Sequence, residues 1–182
     1  MQDALGSYFS EGRTVYPLRP GGASVVIYAD GRVAVAKWGR DATMGSDVVA
    51  VRQNLQLLVD HGTAVAGLQA TDTSQWGATI GNQIYVWRSG IGVTADGALV
   101  YVAGPGLNIT SLADLLVRAG AVRGMELDIN TDWVNFSAYR PRPGQAAAPS
   151  NGSSLLGSMA GGPARYFTPS WSRDFLTLSA RP

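Results

Sequence analysis

Cysteine is absent from the 182 residues, and histidine occurs once, at His61. The first absence removes disulfides, thiolate metal sites and cysteine nucleophiles together. The second makes any Ser-His-Asp triad or multi-histidine metal site hang on one side chain, and Asp60-His61-Gly62 reads as an exposed turn. Charge is also scarce, at 15% of residues, against about 25% in an average domain. Lys and Arg number 14 and Asp and Glu 13, a formal net charge of +1. Binding nucleic acid or a membrane surface calls for a basic excess, so neither is an expected partner. No apolar run approaches the roughly 18 residues that span a bilayer. Met1 to Ser10 lack the charged-then-apolar order of a signal peptide.

Apolar residues make up 46%, and there are 23 glycines. That is enough apolar material for a core and enough turn material to favour strands over a helical bundle. Val25–Tyr28 and Arg32–Trp38 flank Asp30-Gly31, a hairpin signal. Val48–Arg52 and Leu55–Val59 read as strands. Ile84–Thr94 pairs with Ala98–Ala103 across Asp96-Gly97, and Gly104-Pro105-Gly106 is expected to end that pattern. Leu112, Leu115, Leu116 and Ala119 then follow helical spacing. Ser111 and Asp114 suggest a capping box, and Gly120 a C-terminal stop. Val122–Asp128 reads as a further strand. Residues 141–163, rich in Pro, Gly, Ser and Ala, suggest a mobile surface loop. The aromatic tail from Tyr166 to Leu178, including Trp171, suggests a short strand. The expected fold is α+β, a mixed and mostly antiparallel sheet with few helices, forming one domain over 1–182.

Candidate chemistry concentrates in Met125 to Trp133. Strand alternation would put Glu126 and Asp128 on one face and Met125 and Leu127 in the core. Paired carboxylates at a strand end suit acid–base work, because proximity raises one pKa. With Asn130 and Asp132 they also suit a hard divalent cation. A turn-capping role beside arginines is the plain alternative. Arg88 lies inside an apolar strand, where an unpaired charge is costly. It needs a carboxylate, Asp128 or Glu126, or an anionic ligand such as phosphate. Arg52-Gln53-Asn54 between two apolar runs suggests either hydrogen bonding to a sugar or amide support for a β-bulge.

Taken in order, these segments resemble the phosphodiester glycosidase family. Its core is an Arg-containing strand ending in Gly-x-x-x-Asp-Gly, then a helix, then a strand ending in Leu-Asp-Gly-Gly-Gly-Ser. Arg88, Gly92, Asp96 and Gly97 match the first part, Ser111–Ala119 the helix, and Gly120-Ala121-Val122 with Leu127-Asp128 the last strand. The resemblance runs from about Ser24 to Asn135. Ile129-Asn130-Thr131-Asp132 replaces the glycines, a form similar to an actinobacterial branch of exported proteins. The family's upstream Asn-Gly-x-Phe-type motif is not found here, so the chain reads as a C-terminal portion, open to a missing segment or a homo-oligomeric partner.

The resemblance implies hydrolysis of a sugar-1-phosphodiester in an extracellular or cell-wall glycan. Asp128 would lead catalysis with Glu126 or Asp132. Arg88 would hold phosphate, and Arg52, Gln53, Asn54, Asn130 and Trp133 would line the substrate site. No cofactor is implied beyond a divalent cation at the carboxylates. The competing class is a non-catalytic glycan- or protein-binding module, using Trp76, Trp87, Trp133 and Trp171 as stacking platforms.

Overall fold

A computed structural model describes residues 7–69, 71, 75–168 and 175–179. The chain forms two compact units, Met1–Thr131 and Asp132–Pro182. Trp171 lies outside the described residues.

The first unit stacks two antiparallel sheets and a helix. Sheet one contains β1 (Tyr8–Ser10), β2 (Arg13–Tyr16), β3 (Ala23–Tyr28), β4 (Val33–Lys37) and β5 (Val48–Gln53), in the order β2-β1-β5-β3-β4. Sheet two contains β6 (Leu57–Asp60), β7 (Thr63–Ala64), β8 (Val86–Thr94), β9 (Leu99–Leu107) and β10 (Ala121–Ile129), in the order β7-β6-β10-β8-β9. Alternation along β3 shows why both faces of sheet one are filled. Val25 packs with Leu57, Ile91 and Met125 of sheet two, while Val26 packs with Trp38, Val48 and Val51 on the other side.

The helix α1 (Ile109–Arg118) covers the far face of sheet two. Ile109, Leu112, Ala113 and Leu116 are its buried stripe, and full burial of each Leu or Ile is worth about 1.5–3 kcal/mol. Its cap is not Ser111 but Asn108, whose Oδ1 accepts the Ser111 backbone N–H at 2.8 Å. Ser111 is the third helical residue and returns its hydroxyl to the Asn108 N–H at 3.0 Å. The helix therefore starts earlier than the leucine spacing alone indicates. Gly120, with φ of 87°, ends it as expected.

Glycines on sheet two let the helix approach closely. A Cβ on Gly92 would lie 2.6 Å from the Ala121 Cβ, and one on Gly90 would lie 2.9 Å from the Met125 carbonyl and 3.2 Å from Leu116 Cδ1. Gly104-Pro105-Gly106 does not end the second hairpin strand, since β9 continues to Leu107 and Gly104 pairs with Arg88.

Four charges join the two sheets. Arg40 donates to Asp41 at 2.7 Å and to Asp60 of β6 at 2.8 Å, and Arg123 of β10 contacts both Asp60 and Asp41. The Arg40 hydrogen bond is the main cause holding Asp41 low, at about 2.

In the second unit β11 (Ser137–Tyr139) pairs antiparallel with β12 (Gly152–Ser154). The segment expected as a loop over 141–163 thus contains a strand, and 3-10 turns at Pro149–Asn151 and Gly162–Phe167. Residues 175–179 have no regular structure, so no strand forms there. Among the described residues no helix is long and apolar enough to cross a membrane.

Candidate active site

A bulge between β10 and β8 shapes the site. Glu126 pairs with Gly90 and Ile129 with Arg88, so Leu127 and Asp128 together face the single residue Ser89. An extra residue of this kind breaks strict two-residue alternation. Two side chains hold it in place. Ser89 Oγ accepts the Asp128 N–H at 3.1 Å and donates to the Asp128 carbonyl at 3.2 Å. From the other side, Asn54 Nδ2 donates to the carbonyls of Glu126 at 3.2 Å and Leu127 at 2.9 Å.

Register also explains the partner of Arg88. Glu126 sits opposite Gly90, and opposed residues share a face. Arg88 is two residues from Gly90 and points the same way. That face is the one covered by α1, so both side chains are buried, at 1% and 0% exposure. Arg88 Nη1 donates to Glu126 Oε1 at 2.5 Å and to the Trp76 carbonyl at 3.2 Å. Burial pushes the Glu126 carboxyl up to about 7, with Arg88 opposing the rise. Among the described residues Arg88 Nε, Glu126 Oε2, Trp76 Nε1 and Thr79 Oγ1 have no hydrogen-bond partner. Buried polar atoms of this kind need a reason in a native protein.

The segment from Trp76 to Ile80 is tied over the ends of β8 and β10. Trp76 accepts from Arg88, and the Ile80 N–H donates to Asn130 Oδ1 at 3.1 Å. Asn130 has a left-handed φ of 75°, and its own N–H donates to the Trp87 carbonyl at 2.8 Å. Gly77 has a φ of 81°, which strains any side chain, and a Cβ there would also force the Ile129 Cδ1 methyl, 2.3 Å away, to move.

The structure thus brings Arg88, Glu126, Asp128, Asn54 and Asn130 to one end of β10. Asp128 is exposed, whereas Glu126 lies under the helix, because both faces of sheet two are covered. Gln53 is nearby in sequence but spends its amide internally. Its Oε1 accepts the Arg19 N–H at 2.7 Å, and its Nε2 donates to Ser24 Oγ at 2.9 Å. Arg52 is half-buried and donates to the Gln53 carbonyl at 2.7 Å. Asp132 and Trp133 belong to the second unit; Asp132 is exposed and Trp133 half-buried. Trp76 is buried and Trp87 half-buried. Asp96 closes the β8–β9 turn, accepting from Thr94 Oγ1, and that bond leads the lowering of its pKa. No group of three or more His, Cys, Asp or Glu that could hold a metal ion occurs among the described residues.

Ser89 and Thr79 are not among the candidate site residues read from pattern, and Trp76 is expected there only as a stacking platform. Ser89 carried a signal, being a hydroxyl between Arg88 and Gly90 in an otherwise buried run. Thr79 carried none, because its segment has no periodicity, and Trp76 carried only its aromatic ring, which does not foretell that its carbonyl accepts from Arg88.

Comparison with known proteins bears on the same stretch. The family profile described as phosphodiester glycosidase matches residues 2–128. Among solved structures, a zebrafish N-acetylglucosamine-1-phosphodiester alpha-N-acetylglucosaminidase catalytic domain, auto-inhibited by its pro-peptide, is similar at 18% identity with a TM-score of 0.51. The match covers 71% of this chain and 47% of that one, so the chain spans about half the length of this relative. A hypothetical protein from Synechocystis matches at 16% identity and a TM-score of 0.36, covering 70% of this chain and 40% of that one. No curated protein matches.

Proposed function

The chain belongs to the phosphodiester glycosidase family, and from that premise we propose that it contributes the leading carboxylate, Asp128, to hydrolysis of a sugar-1-phosphodiester in an extracellular or cell-wall glycan. One observation carries the assignment: Asp128 is exposed on a bulge whose backbone Ser89 and Asn54 pin from both sides. A carboxylate in fixed register can accept a proton from water as that water attacks the anomeric carbon. The bond from that carbon to the bridging oxygen breaks, and its electron pair leaves on the phosphate monoester. The products are free sugar and phosphate monoester.

Negative charge gathers on the departing phosphate, and a nearby cation in a low-dielectric setting offsets it. Arg88 is assigned that charge in this reading, acting from its buried place beside Glu126 through the site's field without touching phosphate. Arg52 and Asn130 are the sugar-facing groups. Gln53 and Asn54 act through the backbone they hold, and Asp132 and Trp133 take no part in this reading.

The test uses an alkyl diester of N-acetylglucosamine-1-phosphate, the linkage in the zebrafish relative's name. Phosphorus NMR follows phosphate monoester, and a sugar assay follows free N-acetylglucosamine, for the 182-residue chain and for a version extended upstream. Turnover should require Asp128 and vanish in Asp128→Asn with unchanged circular dichroism. Wild-type turnover in that variant would remove Asp128 from the reaction. Binding of the diester without turnover by either version would favour the glycan-binding class.

A further inference from the structure

The second unit buries a cation whose hydrogen bonds, among the described residues, go to carbonyls and to no carboxylate. Arg165 lies in the 3-10 turn Gly162–Phe167 and is 8% exposed. Its Nη1 donates to the Ala160 carbonyl at 3.2 Å, and its Nη2 donates to the Asp132 carbonyl. Among the described residues no carboxylate pairs with it. A guanidinium carries five N–H donors, so two neutral carbonyls leave donors over and supply no counter-charge through those bonds. A buried charge without a counter-charge is costly.

The guanidinium is also not packed solidly around. A cavity of about 320 Å³ is walled by Asp132, Ala160, Gly161, Ala164, Arg165 and Thr168. That is the small end of the range for ligand pockets, roughly 300–1,000 Å³. Gly161 helps set the arginine's path. Its φ is 76°, and a Cβ there would come within 3.2 Å of Arg165 Cβ and 3.3 Å of its Cγ. A side chain at 161 would push the stem out of place. Asp132 is the one acidic residue of the wall, and it meets the arginine through its carbonyl.

We propose that this cavity binds a small oxyanion, the phosphate or carboxylate end of a small molecule, through the Arg165 guanidinium. Planar fork geometry matches both groups. The inference is independent of the role given to Asp128. The opposing view is that Arg165 is only a clamp between the Ala160 and Asp132 carbonyls.

The experiment titrates the whole chain with inorganic phosphate and, separately, acetate, against chloride at equal ionic strength. Amide NMR signals of Gly161, Ala164 and Thr168 should shift and saturate below about 50 mM, a millimolar affinity. Chloride should not reproduce the shift. Tighter phosphate binding assigns a phosphate end, and tighter acetate binding a carboxylate end. Arg165→Lys keeps the charge but loses the fork, and should weaken binding about tenfold. Ala164→Leu fills the cavity without touching either carbonyl bond, so it should abolish binding while unit-wide signals stay in place. Asp132→Asn removes a like charge and should bind at least as tightly. No saturable shift with either anion, binding unaffected by Ala164→Leu, or weaker binding in Asp132→Asn would each overturn the proposal.

Discussion

The Ser89 hydroxyl closes a two-way clasp on Asp128, accepting its N–H at 3.1 Å and donating to its carbonyl at 3.2 Å. A main-chain ladder cannot serve an extra residue, so a side chain serves it instead. Ser89→Ala leaves both backbone groups short of a partner in a partly buried place. The expected loss is about 1–3 kcal/mol, read as a lower midpoint in urea unfolding. Threonine at 89 keeps the hydroxyl and should recover most of that loss.

Asn54 does the same work from β5's end, and its effect should fall on the site more than on the fold. Asn54→Ala releases the Glu126 and Leu127 carbonyls. Catalytic geometry tolerates only about 1 Å of drift. Turnover of the sugar phosphodiester should fall at least about tenfold at saturating substrate, with the melting temperature within a few degrees of wild type. Unchanged kcat would show that the bulge does not position the carboxylate.

Glu126 predicts an unusual pH dependence. Its carboxyl is raised by burial from 4.5 to about 7 in the folded chain. Between those values the folded state holds a proton that the unfolded state has lost. The stability from this group is therefore complete below about 4.5 and declines as pH rises through about 7. Glu126→Gln removes that decline. Urea unfolding at pH 5 and pH 7.5 should show wild type losing more stability than the variant. Parallel losses in both would show that Glu126 is charged throughout.

Asp41 has the opposite sign. Arg40 and Arg123 hold it at about 2, below the ordinary 3.8. Its contribution is present above 3.8 and is lost as pH falls toward 2. Asp41→Asn should cost about 1 kcal/mol or less at pH 6, since solvent reaches the network. The cost should shrink in high salt. A salt-independent loss would point to the Lys37 N–H, which donates to Asp41 Oδ2 at 2.8 Å, and not to the arginines.

Much of the first unit was readable from pattern. Asp30-Gly31 marked the β3–β4 hairpin, and Leu112 with Leu116 marked the buried face of α1. The pairing of Arg88 with a carboxylate followed from the cost of a lone buried charge, and Glu126 is that carboxylate. What alternation misplaced was Glu126 itself. A strand's own residues do not reveal that both faces of its sheet are covered, nor that its neighbour is one residue short. The bulge is a property of two strands in register. The cap at Asn108 was missed for a related reason: Ile109 extends the leucine stripe by a turn, which moves the start of the helix. In the second unit, composition at 141–163 indicated turns correctly but hid β12, whose Gly-Ser-Ser has no apolar signature.

The close approach of α1 to sheet two has a consequence for how this fold can vary. Gly90, Gly92 and Gly124 present no side chains to the helix, and the Cβ positions they would have lie 3.2, 3.4 and 3.1 Å from the methyls of Leu116. One leucine thus stands in for the missing inner surface of two strands. Trimming it to alanine opens a void lined by main chain, which cannot collapse inward, so the penalty should sit high in the 2–5 kcal/mol range for such changes. Conversely, alanine at 124 is eased by a smaller residue at 116, whereas alanine at 90 or 92 also meets the Met125 or Arg123 carbonyl at 2.9 Å, which no change at 116 relieves. Positions 116 and 124 can therefore change together, whereas 90 and 92 are held as glycine by the neighbouring strand's main chain, and a sequence can vary the first pair without freeing the second.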